Sequence, residues 1–146
     1  MTKSEVLLSL LEDRLYHGSK VELDQLQPGN DGGIHLGSKA QASMRNSKHV
    51  YAVEVSADVD RFKRERDTGG DWKGKIQKAK KAGYEGIVYL NRYEGIDKDR
   101  YFKLLADGWT GEKLDALSDK GFKKLLPGME DSYIVFNPKD VRIVGD

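Results

Sequence analysis

Cysteine is absent from the 146-residue chain, which excludes disulfide staples and thiolate metal sites. Histidine occurs three times, at His17, His35 and His49, too widely and too unevenly spaced for a usual zinc ligand set, so no metal is expected. An excess of one charge is also missing. Against 25 Lys and Arg stand 24 Asp and Glu, for a formal charge of +1, so no long-range field steers the chain toward nucleic acid, membrane or an acidic partner. The longest apolar run, Val6 to Leu11 with Ser9 inside it, is far short of a membrane span. Glu12 and Asp13 follow it in place of the small residues of a cleavage site, so a cytoplasmic protein with no membrane partner is expected.

What is present is enough for one core. Hydrophobic residues make up 38% of the chain, with two Trp, seven Tyr and four Phe, and residues 1–146 are read as a single domain. Thr2-Lys3-Ser4-Glu5 has the pattern of a capping box, with a short helix behind it to about residue 13. Leu15-Tyr16-His17 reads as a brief strand ending at Gly18, and the turn-rich segment 27–33 leads into Ile34-His35-Leu36. Residues 39–46 favour a helix, and residues 49–55 alternate as the clearest strand. Asp71 is placed to cap a helix with a buried stripe of Trp72, Ile76 and Ala79, ending at Gly83. The basic residues from Arg61 to Arg66 and from Lys73 to Lys81 are read as a solvated face. Strands follow at 86–90, 132–136 and 141–144. Residues 95–130, charged and punctuated by glycine, form a helical insertion or lid, with Trp109 and Phe122 in a small core of its own. Strands and helices interleave without regular βαβ spacing, which favours an α+β fold with a split, mostly antiparallel sheet and flanking helices.

Three stretches carry the chemistry. In Leu15-Tyr16-His17-Gly18-Ser19 a histidine at a strand end offers a ring nitrogen beside an unobstructed glycine backbone, as a ligand with a sugar hydroxyl and a carboxamide requires; in isolation it is equally a histidine satisfied at the core rim. In Gly33-Ile34-His35-Leu36-Gly37-Ser38-Lys39-Ala40-Gln41-Ala42-Ser43 a strand turns directly into a helix with small residues, so a flat ring or a phosphate can approach the backbone; alone it is a tight junction. Ser132-Tyr133-Ile134-Val135-Phe136-Asn137-Pro138 alone is a buried strand with a stop.

In this order the three stretches, with Gly83-Tyr84-Glu85-Gly86-Ile87-Val88-Tyr89-Leu90-Asn91-Arg92-Tyr93-Glu94-Gly95 between them, resemble the ADP-ribosyltransferase superfamily. The likeness is to its branch with a histidine in the first motif, which includes the poly-ADP-ribose polymerases and diphtheria toxin. Within that branch it is nearest to the small domains of phage and mobile-element polyvalent proteins and toxins. It reaches from residue 15 to 144 and leaves the first helix and the insertion uncovered. The resemblance implies a sheet core of that type and NAD as a consumed substrate, cleaved at the nicotinamide–ribose bond with transfer of ADP-ribose to a macromolecular acceptor, protein rather than nucleic acid. A toxin or antidefence role in the host cytoplasm would follow.

Carried over by position, His17 holds the nicotinamide ribose and the Gly18 backbone clamps the carboxamide. His35 stands where a tyrosine packs on the nicotinamide ring, and Ser43 where a serine meets the carboxamide. Ser19, Gly37, Ser38, Asn91 and Tyr93 complete the expected NAD-binding set. A second stacking ring expected near Asn46 is missing and would come from Tyr84 or Tyr93. Polymerase-like members carry their catalytic glutamate where this chain has Ser132. A carboxylate is still needed, because an anion stabilises the oxocarbenium-like state of glycosidic cleavage. Glu94, following a core strand, is the expected catalytic group, with Asp131, Glu130 and Ser132 as alternatives. Two rival readings of the same site are an NAD glycohydrolase and a non-catalytic module that binds NAD or ADP-ribose.

Overall fold

The computed structural model describes residues 15–145, so the helix expected at residues 2–13 lies outside the described residues. In chain order the elements are β1 (Leu15–Ser19), β2 (Ile34–Leu36), α1 (Lys39–Arg45), β3 (His49–Val55), β4 (Phe62–Glu65), α2 (Trp72–Lys81), β5 (Gly86–Leu90), α3 (Lys98–Ala106), α4 (Gly111–Asp115), α5 (Asp119–Leu125), β6 (Asp131–Val135) and β7 (Val141–Gly145). The strands form two sheets, β1-β3-β7 and β2-β6-β5-β4. Every pair is antiparallel except β4 with β5, which α2 connects. The α+β class with mostly antiparallel sheets is thus present, divided into two sheets. A single bridge between Tyr16 and Gly37 links them.

Strand alternation explains the layers. In β6, Ile134 packs with Ile76, Ala79, Ile87 and Tyr89 beneath α2, while its neighbour Val135 joins Leu15, Ile34, Leu36, Val53 and Val141 between the sheets. Both residues are fully buried, as expected of a central strand covered on both faces. The side chains of His35, Ser132 and Tyr89 share the α2 face, because Tyr89 pairs with Ser132 and His35 with Ile134. Asp131 and Leu90 belong to the opposite face.

Two local expectations change. Residues 62–65 are an edge strand, not part of a helical solvated face. Their charges hide the period, and an edge strand tolerates charge because one side of it is open to water. Asp71 precedes α2 but does not cap it with its side chain: its backbone is left-handed (φ 60°) and no side-chain cap bond forms, a conformation aspartate tolerates better than most residues.

Three short helices fill the segment read as a helical insertion. Side chains of Asp97, Thr110 and Ser118 cap α3, α4 and α5, each accepting from a backbone amide in the first turn. Leu104, Leu114, Phe122, Leu126 and Met129 close over Leu90 from β5. The link to the sheet is Arg92, 2% exposed, whose guanidinium lies 4.6 Å from the Phe122 ring centre. It donates to the Leu117 carbonyl at 2.7 Å and to Asp119 Oδ1 at 2.9 Å. Arg92→Ala would remove the donor of Asp119 Oδ1 and one of the two donors of the Leu117 carbonyl, which Arg66 also contacts, and is expected to lower stability by about 2–4 kcal/mol, measurable by urea unfolding. A loss below about 1 kcal/mol, the scale of an ordinary exposed ion pair, would show that the insertion does not depend on this arginine.

Candidate active site

The site begins where the two sheets part. Tyr16 and Gly37 exchange two backbone hydrogen bonds, Tyr16 N to Gly37 O at 2.7 Å and Gly37 N to Tyr16 O at 3.0 Å. Tyr16 therefore turns both backbone groups away from β3, and Gly18, two residues on in the same strand, does the same. Beyond this bridge no strand among the described residues continues along this side, so the Gly18 amide and carbonyl face the gap. Glycine is required there by space as well: a Cβ would overlap the carbonyl oxygens of Ala42 and Asn46 at the end of α1.

Two hollows open beside this edge. A narrow slot is lined by Tyr16, Gly18, His35, Gly37, Gln41 and Ser132, among others. An open cleft of about 710 Å³, bounded by Met44, Asp67, Gly69, Trp72, Asn91 and Tyr93, lies next to it, within the range of small-molecule sites. Arg45, Tyr89 and Glu94 line both. The Glu94 carboxylate thus stands at the junction. The Trp72 and Tyr89 rings meet at 4.4 Å between centres and form an aromatic wall. Asp67 is buried and ties the floor together, its two oxygens accepting from the amides of Gly69 and Arg92, each at 3.0 Å.

Glu94 is held by a turn and a network. Asn91, 2% exposed, accepts at Oδ1 from the backbone amides of Tyr93 and Glu94, at 3.1 and 2.9 Å. Its Nδ2 donates to Glu94 Oε1 at 3.0 Å and to Ser132 Oγ at 2.9 Å. Ser132 in turn donates to Gln41 Oε1 at 2.8 Å. Gln41 is fixed by a capping box with Ser38 at the start of α1 and by donation to the Glu130 carbonyl at 3.0 Å. Gly95 closes the turn with a left-handed backbone (φ 74°), where a Cβ would sit 2.8 Å from Gln41 Cγ. Among the described residues the nearest cation is Arg45, 3.9 Å from Glu94 and 40% exposed.

The residues expected from sequence separate into groups. Gly18, His35, Gly37, Asn91, Tyr93 and Glu94 line the slot or the cleft, as does Ser132. Ser38 contributes as the cap of α1, and Ser19 closes a local turn with Val21. Ser43 lies outside both linings; Gln41 and Arg45, one helical turn apart, face the site from α1 instead. Tyr93 borders the cleft, while Tyr84 sits at the other end of β5 from Glu94. Asp131 forms a two-pronged pair with Arg64, both contacts at 2.8 Å, around a separate hollow beside α5. Glu130 enters through its backbone carbonyl, which accepts from Asn91 N and Gln41 Nε2.

Gln41, Arg45, Asp67, Trp72 and Tyr89 were not expected at the site. The Ser38-x-x-Gln41 pattern was a readable signal for the first, with Arg45 following at i+4. Tyr89 is buried, and burial, then the charges of Glu94 and Asp67, push its hydroxyl far above the ordinary phenol range, so it stays a hydrogen-bond donor. Among the described residues no group of three His, Cys, Asp or Glu side chains could hold a metal ion, and no helix is long and apolar enough to cross a membrane.

His35 lines the slot, whereas His17, expected to hold the nicotinamide ribose, lines neither hollow and is tied to the slot through the His35 carbonyl. His35, 7% exposed, has Nε2 at 2.6 Å from Asp31 Oδ2, and its buried Nδ1 has no hydrogen-bond partner among the described residues. Burial would raise the Asp31 carboxyl, but the bond and charge of His35 and the Gly33 amide outweigh it and hold Asp31 below its usual value. His17 Nδ1 lies 2.8 Å from the His35 carbonyl. Since a carbonyl can only accept, Nδ1 carries the proton, leaving Nε2 of the neutral ring as an acceptor.

No family model matches the chain, and neither a curated protein nor a solved structure matches it.

Burial, opposed by the His35 carbonyl and aided by the charge of Arg45, lowers His17 from its ordinary 6.5. A depressed histidine favours folding while it is neutral, so its contribution is complete above about pH 6.5 and is lost as pH falls through the lower folded value. The stability difference between the wild type and His17→Gln should therefore shrink as pH is lowered from 7 to 5 in urea unfolding. Parallel pH profiles would contradict a buried neutral His17.

Proposed function

We propose that the chain is an ADP-ribosyltransferase with a fold of that superfamily's type, which cleaves NAD at the nicotinamide–ribose bond and passes ADP-ribose to a macromolecular acceptor. The observation that carries this reading is the position of Glu94: a carboxylate held at the junction of a narrow slot and an open cleft, with the Gly18 edge, which no strand among the described residues pairs on that side, lining the same slot. A carboxamide needs one donor and one acceptor side by side, which the Gly18 amide and carbonyl supply. His35 Nδ1, buried in the slot wall without a partner among the described residues, is a polar atom that a ligand would satisfy. Arg45 is an exposed cation suited to a diphosphate, and the rings of Trp72 and Tyr93 give the cleft a surface for flat groups.

In this reaction the bond from C1′ of the ribose to the pyridinium nitrogen breaks, and nicotinamide leaves with the electron pair. Positive charge grows on the ribose, where an anion contributes more in the transition state than in the bound substrate. Glu94 is that anion. A lone pair of the acceptor then bonds to C1′, and the acceptor's proton is lost to Glu94 or to water. The open cleft also admits water to the same carbon, which favours NAD hydrolysis as a second reading; free ADP-ribose without a labelled macromolecule distinguishes it. Near-zero net charge supports a protein acceptor over nucleic acid.

Glu94→Gln keeps size and removes charge, so nicotinamide release should fall by about a hundred- to a thousand-fold with little change in KM for NAD. Asp131→Asn, which alters only the pair with Arg64 on the other face of the sheet, should stay close to wild type. Loss of turnover in Asp131→Asn with turnover kept in Glu94→Gln would reverse the assignment, and absence of nicotinamide release from the wild type would remove the proposal.

A further inference from the structure

We infer that Ser132 is a positioning residue that sets the Glu94 carboxylate through Asn91; the inference rests on the proposed catalytic role of Glu94. The polarity of each link can be worked out from its neighbours. Gln41 Nε2 is committed to the Glu130 carbonyl, so Oε1 is the end that faces Ser132. That oxygen also accepts the Ser38 amide at 2.9 Å and can only accept. The Ser132 hydroxyl proton must therefore point at Gln41. Its lone pairs are left for Asn91.

Asn91 is fixed in the same way. Its Oδ1 takes two backbone amides, which rules out the flipped amide, so Nδ2 is the end that faces Ser132 and Glu94. One of its two protons goes to Ser132 Oγ and the other to Glu94 Oε1. The chain of donation runs Asn91 to Ser132 to Gln41 on one side and Asn91 to Glu94 on the other, with the Tyr89 hydroxyl as a further neighbour of Ser132. Asn91, Ser132 and Gln41 are all at most 4% exposed, so water does not compete with the bonds among these three. Oε1 of Glu94 is therefore occupied from behind, and Oε2, for which no protein hydrogen bond is present among the described residues, is the oxygen that addresses the ligand.

Removing the Ser132 hydroxyl cuts the network at its middle without touching the turn at Asn91. The Asn91 amide then loses one of its two anchors, and the carboxylate gains freedom where an angular error costs rate more than binding. In nicotinamide-release assays on the full chain, Ser132→Ala should lower kcat about tenfold, the loss of one buried hydrogen bond's worth of orientation, with KM for NAD within about twofold. In a Glu94→Gln background the same change should cost nothing further, since the carboxylate it positions is gone. A merely structural Ser132 would cost the same in both backgrounds.

A second measurement does not depend on turnover. The Asn91 side-chain amide protons should exchange slowly in the wild type and much faster in Ser132→Ala, read by NMR. Fast exchange in the wild type, an equal loss of kcat in both backgrounds, or an unchanged kcat in Ser132→Ala would each overturn the positioning role while leaving the Glu94 assignment standing. A wild type that releases no nicotinamide would overturn both, and slow Asn91 exchange in that case would locate the failure in the proposed reaction and not in the network.

Discussion

The two backbone hydrogen bonds between Tyr16 and Gly37 set the geometry of everything around the site. They join the sheets at one residue pair and then end, so β1 and β2 diverge immediately after meeting. A longer pairing would have used the Gly18 amide and carbonyl in a ladder. A missing one would have let the sheets separate, and with them Gly18 on one side and His35 and Gly37 on the other. One bridge gives a joined scaffold and an open edge together. The apolar cluster of Leu15, Leu36, Val53 and Val135 beneath it makes the join rigid, because packed side chains from both sheets resist relative motion.

The site draws on four distant parts of the chain, and each is located by a different force. Gly18 is placed by strand pairing and by its close fit against α1. Gln41 is placed by the capping box that begins α1. Ser132 is placed by alternation in the central strand β6, and Glu94 by the turn that Asn91 builds after β5. Where these meet, the buried side-chain polar atoms among the described residues are satisfied except at His35 Nδ1. Buried polar atoms are ordinarily paired; the exception and the Gly18 backbone edge lie in the same slot. Asp131, adjacent to Ser132 in sequence, faces the other side of the sheet and is occupied by Arg64. Alternation of one strand thus separates two neighbouring residues into different environments.

Much of the scaffold was legible because it follows local rules. Residues 49–55, 86–90 and 132–136 alternate or run apolar, and those patterns have few other uses. The strand at 62–65 was not legible, because Lys63, Arg64 and Glu65 mask the period on an edge where charge costs little. Glu94 and Asn91 could be singled out because the segment after their strand resembles a family motif. Their partners could not: Ser132 lies 41 residues from Asn91 and 91 from Gln41, and nothing local to Ser132 says that a hydroxyl inside an apolar strand is needed. Arg45 and Trp72 read as ordinary members of a helix surface and a helix stripe, and only the fold brings them to the cleft.

The central claim is that the gap beside Gly18 receives NAD. Titration of NAD into isotope-labelled protein, followed by backbone amide NMR, tests it most directly. Saturable shifts at Gly18, His35, Arg45 and Glu94, with Lys120, Lys123 and Lys124 beside the other hollow unmoved, are the result predicted. Shifts confined to those lysines, or none at millimolar NAD, would contradict it.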